Sequence, residues 1–169
     1  AQKFAEYPIN FQRLDIEKDP AQQGFEIGSY DIVLAFNCLH VTSSIRTTLK
    51  NVRSLLRADG RLVLIEVVNA QPYHHISYGT LPGYWKGSVD GRPNGPFMTV
   101  NQWQECIDDT KMDMQLCVKD DEEAHISSLM VARPLGDMSS KSAEKIQIVP
   151  VAGISDTITD GIANVLKEG

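Results

Sequence analysis

The chain has 169 residues, 42% hydrophobic and 22% charged, which suits one globular domain, or one domain with a piece of a second. The formal net charge of −6 and the lack of a basic stripe argue against a nucleic-acid partner. Its longest apolar runs are far too short to cross a bilayer, and residues 1–12 lack the apolar core of a signal peptide. Three cysteines, Cys38, Cys106 and Cys117, with no CxxC spacing, fit a reduced, cytoplasmic protein better than a disulfide framework or a zinc site.

INFQRLDIEKDP (9–20) reads as a short strand ending near Leu14 or Ile16, with Asp15 at its carboxyl end and a Pro/Gly loop after it. DIVLAF (31–36) is a continuous apolar run, as expected of a strand covered on both faces. A helix should start at an N-cap, Thr42 or Ser43. Ile45, Leu49, Val52, Leu55 and Leu56 form its apolar face, and ADG (58–60) ends it with Gly60 just past the terminus. RLVLIEVV (61–68) is the next buried strand.

Residues 69–98 are rich in Gly, Pro and aromatics and have no clean period; a stretch this long usually serves as a lid or pocket wall. Thr99 then caps a helix with Trp103 and Ile107 on one face. MQLCVKDD (114–121) and HISSLMVAR (125–133) read as an antiparallel hairpin. Residues 134–145 have linker composition, and 146–169 read as a fresh strand and helix.

Strand, helix, strand over 30–68 predicts a parallel β-α-β unit, with both strand ends on one edge of the sheet. His40 closes the first run and Glu66 the second, so they should sit side by side where open α/β sheets hold ligands. A carboxylate beside an imidazole fixes its tautomer and raises its basicity. The competing readings are a histidine bonded to its own loop and a solvated glutamate. Asp15 belongs on the same edge, as an acceptor for an adenine amino group or a ribose, or as a turn residue. His74 and His75 have no acidic or cysteine partner at metal-ligand spacing. Tyr73, Tyr78, Tyr84 and Trp85 fit either an acyl pocket or loop packing. Cys38 is read as a small buried residue before a reactive thiol.

LDIEKDPAQQGF (14–25), YDIVLAFNCLHVT (30–42), LKNVRSLLRADGRLVLIEV (49–67), LPGYW (81–85) and VDGRPNGPFMTVNQW (89–103) resemble the C-methyltransferase domain of fungal highly reducing polyketide synthases. The tail from Lys145 resembles the start of the structural, non-catalytic ketoreductase subdomain of such megasynthases. The resemblance implies a class I, Rossmann-like, S-adenosylmethionine-dependent α/β fold over 1–135, a linker over 136–145 and a second Rossmann-like β-α start over 146–169. It implies α-carbon methylation of a β-ketoacyl chain on an acyl carrier protein, without metal. It casts His40 as base and Glu66 as its orienter. Asp15, Ile16, Phe36 and Asn37 fall to the cofactor, and Tyr78, Tyr84 and Trp85 to the substrate pocket. Other domains of the synthase are the implied partners, in a homodimer formed through the parent.

LHVT and the Tyr84–Trp85 pair replace the family's LHAT and paired tryptophans. DDTKMDMQLC replaces its usual Gly-containing turn. The family's first two strands and Gly-rich cofactor loop have no counterpart in the sequence, so the chain is expected to be an excerpt that, alone, binds the cofactor poorly and does not methylate. The alternative is a non-catalytic structural or docking remnant of such a domain; a free small-molecule methyltransferase is a third reading, disfavoured by the tail.

Overall fold

The computed structural model describes residues 12–136. Its main elements are β1 (Tyr30–Phe36), α1 (Ile45–Leu55), β2 (Leu56–Val67), α2 (Pro72–Tyr78), α3 (Val100–Asp109), β3 (Met112–Lys119) and β4 (Ser127–Pro134). The four strands form one sheet in the order β1-β2-β4-β3. β1 and β2 run parallel, with Phe36 opposite Ile65, as the strand-helix-strand pattern predicts. β4 inserts between β2 and β3 and is antiparallel to both, which gives the predicted hairpin. The expected linker beyond Gly136 and the expected β-α unit over 146–169 lie outside the described residues.

Ile45, Leu49, Val52 and Leu55 are buried, as their helical spacing requires, and Leu56, expected on the same helix, is buried as the first residue of β2. With Trp103 and Ile107 of α3, Ile45, Leu49, Val52 and Leu56 pack on one face of the sheet, against Ala35, Leu62, Leu64, Met130 and Ala132. Thr99 caps α3 by accepting from the Gln102 N–H, and the Gln102 side chain returns the bond to the Thr99 N–H.

Four sequence expectations are corrected. Residues 12–16 form no strand, because the Gln23 side chain takes both backbone groups of Asp15 that a neighbouring strand would use. The cap of α1 is Ser44, whose hydroxyl accepts from the Thr47 N–H, not Thr42 or Ser43. Gly60 lies inside β2 rather than past the helix; a Cβ there would stand 2.8 Å from the Tyr30 carbonyl, so glycine admits the close approach of β1. DIVLAF is not covered on both faces. Ile32, Leu34 and Phe36 share the second face of the sheet, and Leu34 and Phe36 are 66% and 64% exposed, because α1 and α3 both pack on the first face.

Trp103→Ala should lower the unfolding free energy by about 3–5 kcal/mol, as a large side chain leaves a filled core. Thr99→Ala should lower it by about 1 kcal/mol. Urea denaturation of the two variants checks the ranking.

Candidate active site

β1 ends at Phe36, and the chain leaves it through Asn37, which has a left-handed φ of 46°. The Asn37 N–H still donates to the Ile65 carbonyl at 2.8 Å, so the exit loop starts beside the end of β2. That juxtaposition places Glu66 under the loop. Glu66 is completely buried, and its carboxylate is fully engaged. Oε1 accepts from the Cys38 and Leu39 N–H groups at 3.2 and 2.9 Å, and Oε2 bonds Nδ1 of His40. An ionised carboxylate only accepts, so Nδ1 carries the proton and the neutral ring keeps its lone pair on Nε2. The predicted neighbours thus meet, although His40 lies four residues past the strand rather than at its end.

The loop is held from above by a residue that sequence reasoning missed. Arg92 is buried, and its Nη1 donates to the carbonyls of His40 (2.6 Å) and Pro96 (3.0 Å), its Nη2 to that of Thr42 (2.6 Å). Asp90 lies 3.7 Å from the guanidinium and accepts from the Ile45 N–H at 2.8 Å. Glu17 accepts from the Ser43 N–H at 2.6 Å. Asp90 therefore takes the first N–H of α1 and Glu17 the N–H just before the Ser44 cap, at the helix end whose positive dipole favours acids. The Ser43 N–H bond holds the Glu17 carboxyl below the usual glutamate range. Phe97 stacks on the His40 ring at a centroid distance of 5.1 Å. Arg92 and Phe97 sit in the aperiodic stretch, inside the VDGRPNGPFMTVNQW run that carries the family resemblance, but no spacing gave either residue a role.

His40 lines a cavity of about 540 Å³, walled by Asn37, His74, Tyr78, Tyr84, Lys86 and Phe97 among others. Of the sequence candidates, His40, Asn37, Tyr78 and Tyr84 meet there. Trp85 does not: it is half exposed, packs edge-on against Tyr84 and donates its indole N–H to the Gly79 carbonyl. Tyr73 stacks on His74 and is exposed. Asp15 is outside the lining, with its carboxylate on Lys18 at 2.8 Å, and Ile16 packs against the core. Phe36 is exposed at the end of β1. Cys38 is exposed rather than buried, and partial desolvation of its thiol, then the Glu66 charge, push its pKa up, away from a reactive thiolate.

A family described as "Methyltransferase domain" matches residues 1–62. The chain is 48% identical over 141 residues to the highly reducing polyketide synthase AFT9-1 of Alternaria alternata, covering 83% of this chain and 5% of that protein. It is 44% identical over 138 residues to the highly reducing polyketide synthase resH of Aspergillus sclerotiorum, over 80% of this chain and 5% of that one. Among solved structures, the trans-methyltransferase CalH, in complex with SAH, superposes with a TM-score of 0.74 at 37% identity, over 79% of this chain and 38% of its own. The CurJ carbon methyltransferase superposes at 0.70 and 35% identity, over 80% and 38%. The chain belongs to the methyltransferase domains of polyketide synthases.

This methyltransferase domain shares the α/β fold of the class I S-adenosylmethionine-dependent enzymes. The chain spans about 5% of the length of the synthases it matches. Among the described residues, no helix is long and apolar enough to cross a membrane.

Arg92→Met should destabilise the domain by about 3–5 kcal/mol, since it strands three carbonyls that the buried guanidinium serves. Gly87→Ala should act in the same direction, because its Cβ would fall 2.5 Å from the centre of the pinned guanidinium. Thermal melts of both variants check this. Glu17, with a depressed folded pKa, stabilises fully above the ordinary glutamate range and loses that contribution as pH falls through its lower folded value. The stability gap between wild type and Glu17→Gln should therefore hold at neutral pH and close on acidification, read from denaturation curves at stepped pH.

Proposed function

We propose that this chain carries the base of a carbon methyltransferase that acts on the α-carbon of a β-ketoacyl chain borne on an acyl carrier protein. One observation carries the reading: a buried carboxylate holds Nδ1 of His40 while the ring lines the cavity, so Nε2 is the nitrogen free to take a proton. The α-proton between two carbonyls is already acidic, so the protein's task is to position a base near neutral pH and exclude water. Glu66 fixes the ring and stabilises the imidazolium that forms. Tyr78, Tyr84 and the apolar lining give the acyl chain a wall.

S-adenosylmethionine, when bound, supplies an electrophilic methyl group. Asn37, on the cavity wall just past β1, and the exposed Phe36 ring before it would hold such a cofactor, a reading supported by their position at the carboxyl end of a parallel strand. Asp15 and Ile16 fit less well, the first committed to Lys18 and the second to the core. The reading assigns residues 1–135 to the methyltransferase, 136–145 to a linker and 146–169 to a structural ketoreductase subdomain, in a cytoplasmic synthase dimer. A buried carboxylate–imidazole pair opening on a cavity favours catalysis over a docking remnant, which has no need of it.

In the full-length parent synthase, His40→Ala should abolish α-methylation while chain extension continues, giving the desmethyl polyketide by mass spectrometry. Fully methylated product would refute the base assignment. Glu66→Gln should slow methylation less than His40→Ala does, because its amide still accepts from Cys38 and Leu39 but presents the ring with the wrong tautomer.

A further inference from the structure

The cavity wall carries a second imidazole that the His40–Glu66 pair does not use. His74 is 7% exposed and lies at the third position of α2. The Gln71 backbone N–H donates to its Nδ1 at 3.0 Å, the shorter of two contacts there, since the Gln71 carbonyl oxygen lies 3.3 Å from the same nitrogen. A backbone amide always carries its hydrogen, so the shorter contact assigns the lone pair to Nδ1 and the ring proton to Nε2. This is the reverse of His40, whose Nδ1 bears the proton and whose Nε2 is the acceptor. Nε2 of His74 bonds no described residue and is not sealed from solvent. Both rings line the cavity and pack on one residue: Phe97 stacks on His40 at 5.1 Å and meets His74 edge-on at 5.3 Å. Among the described residues that line the cavity there is no carboxylate, so the His74 N–H has no anion of the protein to satisfy it there.

We infer that His74 donates its Nε2–H to the substrate carbonyl oxygen that becomes the enolate oxygen. The inference rests on the reading of His40 as the base. When the α C–H bond breaks, the proton passes to Nε2 of His40 and the electron pair delocalises onto the carbonyl oxygen. An N–H on the cavity wall that meets that oxygen stabilises the charge as it develops, and α2 holds the donor's tautomer through a backbone bond rather than leaving it to solvent. A neutral donor suits this place, because it leaves the proton just removed on His40 alone.

The test uses the full-length synthase, a β-ketoacyl pantetheine thioester and S-adenosylmethionine. His74→Met removes the donor and should lower kcat about 100-fold, with KM changed less than about threefold. With S-adenosylhomocysteine in place of the methyl donor, the near-ultraviolet band of the bound enolate should move to higher pH by about 2 units, the same 100-fold in proton affinity. His74→Gln restores both the cap on Gln71 and an N–H donor, and should recover most of kcat and of the band. Should His74→Met fail to fold, His74→Glu takes its place, since it caps α2 and donates nothing. Wild-type kcat and an unmoved band in the donor-less variant overturn the inference. Failure of the underlying reading shows separately, as His40→Ala methylating at the wild-type rate.

Discussion

A single buried carboxylate organises this molecule. Glu66 ends deep in the protein with no water to solvate it, and an ion so placed costs several kcal/mol unless its oxygens are filled. The Cys38 and Leu39 amides and the His40 ring fill them, and all three come from the short loop that leaves β1. The demand of one acid for donors thus dictates where the loop runs, which way the ring faces and which ring nitrogen is left over. Parallel pairing of β1 with β2 brings the donors within reach, and the buried α1 that follows pulls the loop closed.

Around that centre a second set of bonds holds the same loop from the opposite side. Arg92 gathers carbonyls of the loop and of the Pro96 turn, while Glu17 and Asp90 take the free amides at the start of α1. Donors and acceptors of one eight-residue segment (37–44) are therefore satisfied by side chains from widely separated parts of the sequence. Phe97 completes the arrangement as a packing hub, touching His40, His74, His75 and Tyr84. Rigid aromatic contact fixes these rings with little loss of rotamer freedom.

Much of this was legible in the sequence, and what was not has a physical reason. Periodicity alone marked the buried face of α1, the Thr99 cap and the β3–β4 hairpin, because each rests on local spacing. The meeting of His40 and Glu66 followed from strand order, since a parallel crossover leaves little freedom at the strand ends. Arg92 and Phe97 were hidden because their partners are backbone carbonyls and ring faces, which leave no pattern at fixed spacing. Asp15 was misplaced on a strand because the Gln23 amide mimics a neighbouring backbone, a substitution that composition does not reveal. Trp85 was assigned to the cavity by the family resemblance, residue type having left loop packing open, yet it is Tyr84 that lines the cavity while the indole packs edge-on behind it. DIVLAF looked doubly covered because apolar runs record what a strand prefers to touch, not what touches it in a given set of residues.

The sheet ladder sets the position of the His40 ring, while most of the cavity wall hangs on one short helix and a run of turns between residues 72 and 97. These are mechanically separate parts, joined chiefly at Arg92 and Phe97. Sequence drift elsewhere in the wall can therefore remodel the shape and length of the cavity without disturbing the imidazole. A lineage built this way can diversify the cavity while inheriting the buried His40–Glu66 pair unchanged.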